Sequence, residues 1–277
     1  MSWTCPKCRL EVLTPFCARC GEEPVAPPDL TLRALSGKLL HALTSIDARA
    51  ARSVWHLLRR PGALTVAWVS GLRKPYVAPF QLFLIANVIF FALQWLTHEN
   101  VFSSTLDSHL HHQDWSELAR TLVARRLEAR HTDLARYAPE FDRAVVFNAK
   151  SLIVLMAMVF ALLPPLVFWR ERKPFMVHVV FALHLYTLLL LLFCLALLCA
   201  KASAWFGTGG LDVPWVDNVL SVVNLAACML YLFLAIGPVY GASGVRRTAQ
   251  AVLLGVAVGA IVLGYRFVLL LITLYTT

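Results

Sequence analysis

From residue 79 onward the chain alternates long apolar runs with short basic connections. Five runs, over 79–97, 146–169, 176–200, 216–240 and 249–275, are long enough to cross about 30 Å of hydrocarbon at about 20 residues each. The third contains LYTLLLLLFCLALLCA and is apolar throughout. The second holds Lys150 near one end and Pro164-Pro165 near the other, and the prolines are expected to kink or end it. Before the first run the pattern is helical but amphipathic. Leu32, Leu35, Leu39, Leu40 and Leu43 recur at helical spacing with Arg33 and Lys38 between them. Asp47 opens a second basic helix through Arg60, Pro61-Gly62 breaks it, and Pro61 is expected in the first turn of a third helix with Leu64, Val66, Trp68 and Val69. Such helices either lie in the headgroup plane or pack together as a small soluble bundle. The 98–145 connection is polar, and Asp114 with Glu117 suggests a capping box opening a helix over about 114–136.

Composition makes lipid the required solvent for the apolar runs. Hydrophobic residues are 59% of the 277, charged residues 15%, and the mean hydropathy is +0.67. A globule of this length cannot hide so much apolar surface. The net charge of +9 is concentrated before the first run, with 11 of the 25 Lys and Arg in residues 1–78, which fits anionic headgroups better than nucleic acid. Arg170, Arg172 and Lys173 join runs two and three, and Arg246 and Arg247 join runs four and five. Placing these loops and the basic N-terminus on one side requires an odd number of spans. The N-terminus is then cytoplasmic and the C-terminus extracytoplasmic. The 98–145 loop faces outward despite its six arginines, which its eight acids offset. The start, MSWTCPKCRL, lacks the apolar core of a signal peptide, which also keeps it in the cytosol.

The motif of greatest chemical content is Cys5-Pro-Lys-Cys8, then Cys17-Ala-Arg-Cys20-Gly21. Two such pairs close a tetrahedral thiolate shell around Zn²⁺, with no open position for catalysis. Gly21 supplies the permissive backbone that turns amides toward sulfur. A disulfide pair or an iron–sulfur cluster is the alternative. A module over 1–23 is too short to build a core, so the metal is expected to fold it. Residues 24–78 then comprise a stiff linker, EEPVAPP at 22–28, and the basic helices.

Within the spans, Arg266 is the most unusual residue, either a functional group or half of an ion pair with Asp217. His178 and His184, six residues apart, point about 120° away from one another and suit helix–helix hydrogen bonding better than a shared metal. Asn224 and Asn87 read the same way. The outer His98, His109, His111, His112 and His131 read as a solvated loop. Cys194, Cys199 and Cys228 read as packing residues.

The FCARCG end of the cysteine module, LLRRPG at 57–62, and the string Trp68, Gly71, Arg73, Tyr76, Pro79 occur together. With these motifs the chain resembles an uncharacterised bacterial family of zinc-ribbon polytopic inner-membrane proteins, grouped as a domain of unknown function. The resemblance covers residues 5–95. It departs at Glu22, where the family usually has Gln. It implies the architecture and no activity.

The expected fold is therefore all-α: a five-helix transmembrane bundle in a bacterial inner membrane, with N-terminal amphipathic interfacial helices and a small zinc ribbon of four cysteines. Arg59, Arg60, Arg73, Lys74 and Tyr76 form a membrane-entry device, cations on phosphates and the phenol in the aromatic belt. No phosphate loop, zincin motif, nucleophile elbow or carboxylate pair is present. The leading expectation is a non-enzymatic scaffold, assembly factor or sensor, engaging a cytoplasmic protein partner or anionic lipid. A small transporter using Arg266, His184 and Asn224 is the second, and an intramembrane lipid enzyme using outer histidines the third.

Overall fold

The computed structural model describes residues 3–4, 9, 11–14, 48–73, 75–97, 104–205 and 214–277, with the side chains of 150–152, 204–205 and 214–218 outside that description. The chain divides into two compact units, Met1–Ala51 and Arg52–Thr277. In the first, β1 (Trp3–Thr4) pairs antiparallel with β2 (Glu11–Val12), Trp3 opposite Val12 and Thr4 opposite Glu11. The four N-terminal cysteines and the amphipathic 30–43 stretch lie outside the described residues.

The second unit is helical. It contains α1 (48–59) from Arg52 onward, α2 (Ala63–Val69), α3 (Pro79–Thr97), α4 (Leu106–His111) and α5 (Ser116–Arg130). There follow α6 (Leu134–Ala161), α7 (Leu163–Val167), α8 (Phe175–Trp205), α9 (Pro214–Tyr240) and α10 (Gly244–Thr276). Four of these, α3, α8, α9 and α10, are long and apolar enough to cross a membrane, and a fifth crossing results if α6 and α7 act as one broken span. The protein is thus a membrane-embedded, multi-pass chain.

Helix α8 is the centre of the bundle. It packs against α3, α6 and α9, while α10 closes the other side against α6 and α9. Its apolar stretch is 67% buried, against 28% for α9 and α10, which is why it reads as apolar on every face. The outer faces of the other helices expose Val88, Leu96, Val222 and Val256, a girdle that only lipid can solvate.

Local chemistry accounts for the element ends. Pro79 sits at the first position of α3, where its missing N–H costs nothing. Pro61 precedes α2 rather than entering its first turn, because Gly62 at φ 82° is the N-cap. The second apolar run bends by 48° between 134–149 and 153–167, and α6 stops at Ala161 just before Pro164 and Pro165.

The connection between α3 and α6 departs from the expected single helix over about 114–136. Helix α5 ends at Arg130 because His131 turns left-handed at φ 50°, and Asp133 then caps α6 by accepting from Arg136 N at 3.0 Å. No capping box forms at Asp114. Trp115 is the N-cap and Ser116 Oγ instead bonds Gln113 O. Ahead of it, Thr105 caps α4, and Asp142 of α6 accepts the Leu106 amide at 2.8 Å, pinning the loop to the bundle.

Candidate functional site

The bundle end carrying α1, α2, the α7–α8 connection and the α9–α10 turn is strongly basic. Arg59, Arg60, Arg73, Arg170, Arg172, Lys173, Arg246 and Arg247 lie there with Glu171 as the acid among them. The sequence seats this end on the bundle through small and polar groups. Ser53 is fully buried and its Oγ accepts the Val77 amide at 3.0 Å, tying α1 to the strap that leads into α3. Leu57 and Leu64 are buried on either side of the Pro61-Gly62 turn.

Gly62 lies directly on α9. A Cβ there would fall 2.6 Å from Ala235 O and 2.9 Å from Pro238 Cγ, and φ 82° already disfavours a side chain. Three residues on, Thr65 Oγ1 and His184 Nδ1 form a buried 2.8 Å hydrogen bond between α2 and α8. His178 Nδ1 and Tyr240 OH form another at 2.9 Å between α8 and α9, with Phe168 stacked on the Tyr240 ring at 4.0 Å. Pro238 lacks the N–H that would satisfy Leu234 O, and its ring disturbs the turn before it. Arg247 supplies the missing donor to Leu234 O and a further one to Phe233 O, and its guanidinium also lies 4.4 Å over the Phe233 ring.

Outside this seat, cations sit over tryptophans. Arg59 lies 4.3 Å from the Trp55 ring, Arg73 5.2 Å from Trp68, and Arg170 5.3 Å from Trp169. Trp55 and Trp169 are exposed, as are Leu58, Val69 and Leu72 beside them. Tyr76 packs edge-on against His56 at 5.3 Å. Arg60 is exposed, and Lys74 lies outside the described residues. Apolar rings in contact with guanidinium groups, next to exposed aliphatic side chains, are the chemistry of a surface half in hydrocarbon and half among phosphates.

The intramembrane polar residues do not converge. His178 and His184 take partners on different helices, and Asn224 is half-buried on α9 apart from both. Asp217 is helical, but its side chain, and with it the expected ion pair to Arg266, lies outside the described residues. The Arg266 charge acts on His109 at the opposite end. That histidine is not a solvated loop residue. It is fully buried, it accepts from Trp115 Nε1 at 3.3 Å, and Trp115 packs on Phe267 of α10. Burial, followed by the Arg266 charge, pushes the His109 pKa down to about 4. His111 and His112 are exposed, and His111 pairs with Asp107 at 2.9 Å. Among the described residues no group of three metal-binding side chains comes together. Cys194 and Cys228 are buried free thiols and Cys199 is an exposed one.

Three features of this end were not anticipated from the residues: the fit of Gly62 against α9, the Thr65–His184 bond, and the carbonyl capping by Arg247. Pro238 within an otherwise unbroken apolar run was the available signal for the third, since it leaves a carbonyl that must find a donor.

The chain has no significant match among curated proteins or solved structures. Residues 47–91, spanning the RPG turn, α2 and the strap into α3, match a family described as a protein of unknown function (DUF3667), so a domain of unknown function lies where the basic end is seated on the bundle.

Proposed function

We propose that the chain is a non-enzymatic inner-membrane scaffold or sensor of a bacterial type, whose basic end engages anionic lipid and whose N-terminal cysteines hold a structural zinc that docks a cytoplasmic protein. The observation that carries the lipid half is the row of three Arg–Trp pairs on an end with eight cations named above and Glu171 opposing them. Each pair buries the ring toward acyl chains while its guanidinium remains at phosphate depth. In this reading α1 and α2 are interfacial helices, and the positive-inside bias places them, with the N-terminus, in the cytoplasm and the C-terminus outside.

Two features support the zinc half. The β1–β2 pair brackets Cys5 and Cys8, as a metal knuckle requires of its flanking strands. Arg9, directly after Cys8, is left-handed at φ 58°, and it holds the place that Gly21 holds after Cys20. Cys5, Cys8, Cys17 and Cys20 would be the four ligands, and zinc there would supply folding energy rather than catalysis. The cavities described below are lined by neither His184 nor Asn224 nor Arg266, so no specific observation favours a transport path.

The test uses the full chain in lipid nanodiscs. Its melting temperature is expected to rise when phosphatidylglycerol replaces phosphatidylcholine, and the triple substitution Arg59→Ala, Arg73→Ala, Arg170→Ala is expected to remove most of that rise. Elemental analysis should find one zinc per chain, lost in a Cys5→Ser, Cys17→Ser variant. A melting temperature indifferent to lipid charge refutes the lipid half, and a metal-free native protein refutes the zinc half.

A further inference from the structure

Two cavities are stacked along the seam where α6 and α7 meet α10. The first, about 500 Å³, is almost wholly apolar and is lined by Leu155, Val159 and Leu163 on one side and by Ala257, Gly264 and Val268 on the other. The second, about 190 Å³, lies at the basic end and is lined by Trp169, Arg170, Glu171, Arg246 and Gln250. Gln250, Ala257 and Gly264 follow one another at seven-residue steps, so they share one face of α10 with only about 20° of drift per step. Each step is about 10 Å of rise, which puts the polar cavity one such length beyond the apolar one.

The groove is open by design of small residues. A Cβ at Gly264 would meet nothing within 4 Å. At the polar mouth, Arg246 reaches Glu171 at 2.8 Å, and Arg170 leaves the mouth net positive. Gln250 Nε2 donates to Val167 O at 3.4 Å, which orients the amide and leaves its Oε1 sealed from solvent with no donor among the described residues. An apolar groove with two guanidinium groups about one such length beyond it matches one kind of molecule, an amphiphile with an anionic phosphate headgroup.

We infer that this seam holds one anionic glycerophospholipid. An acyl chain occupies the groove and the phosphate sits between Arg170 and Arg246. This rests on the proposed engagement of anionic lipid at the basic end and assigns one molecule of it a place. It differs from the Arg59–Trp55 and Arg73–Trp68 pairs, whose lipids exchange freely with the bilayer.

The test is native mass spectrometry of the full chain in mild detergent, with phosphatidylglycerol or phosphatidylcholine added. The wild type is expected to keep one phosphatidylglycerol at detergent levels that strip phosphatidylcholine. Gly264→Leu fills the groove and is expected to lower that occupancy by about tenfold. Gly259→Leu also enters open space but lies outside the groove lining, and is expected to leave occupancy unchanged. Arg170→Ala with Arg246→Ala is expected to erase the preference between the two lipids. Unchanged melting temperatures in lipid-free detergent show that both leucine variants fold. Equal retention of the two lipids by the wild type, or full retention by Gly264→Leu, overturns the inference. A nanodisc melting temperature that still depends on Arg59 and Arg73 in either case leaves the wider lipid reading standing. Conversely, a retained phosphatidylglycerol with no effect of bulk lipid charge sustains the seam site and refutes the Arg–Trp row.

Discussion

The two ends of the bundle use arginine in opposite ways. At the basic end, Arg59, Arg73 and Arg170 lie outward over tryptophan rings, and opposing acid is nearly absent among the described residues. At the far end, acids and cations alternate along α4 to α6, with exposed pairs such as Arg130–Glu140 at 3.1 Å, while the Arg266 charge acts on a buried histidine. One end is built to meet external charge, and the other to hold a loop against the bundle. Arg247 shows that the basic end also contains a structural cation, because its guanidinium satisfies the carbonyl that Pro238 releases.

Six substitutions would break or sharpen this contrast. Gly62→Leu should have the largest effect, since its Cβ would strike Ala235 O in a backbone conformation that already resists side chains. Loss of well over ~3 kcal/mol is expected, seen as failure to recover folded protein from detergent. Gly71→Ala, with φ 91° but nothing within 4 Å, should cost only about 1 kcal/mol. If both behaved alike, the seating of the RPG turn on α9 would be wrong.

Arg247→Leu should cost about 2 kcal/mol by leaving Leu234 O without a donor. Its neighbour Arg246, in a partly exposed pair with Glu171, should cost under about 1 kcal/mol as Arg246→Leu. Thermal unfolding in one detergent compares them, and equal losses would remove the distinction between the structural and the outward cation.

The far end should be pH-sensitive through His109. Its folded pKa of about 4 lies below the ordinary 6.5, so the unfolded chain binds a proton that the folded chain refuses. Stability is full above pH 6.5 and falls as pH drops toward about 4, by about 2 kcal/mol at pH 5. His109→Gln keeps an acceptor for Trp115 and should flatten that dependence. A slope that survives the substitution assigns the sensitivity elsewhere. A modest effect is expected from Thr65→Val, about 1 kcal/mol for the lost bond to His184, measured as the same melting shift at pH 7.

Much of this was legible along the chain where the cause is local. The apolar runs read as membrane helices because transfer into hydrocarbon is summed residue by residue, and the bundle contains four or five of them. The loop over 98–145 was less legible. Asp114 and Glu117 had the spacing of a capping box, yet the chain used Asp133, whose side chain could close a helix start directly ahead of Leu134. His109 sits in an HLHH string that reads as polar, and only α6 and α10 behind it make it a core residue.

Local sequence thus determined which segments cross, where prolines and glycines interrupt them, and where positive charge collects, since each follows from the transfer energy or backbone freedom of the residue itself. Which helix becomes the core, which arginine caps a carbonyl and which faces outward, and where a groove opens between α10 and the α6–α7 pair were decided by tertiary packing. Those outcomes depend on pairs of surfaces distant in sequence, and a linear pattern contains one member of each pair without its partner.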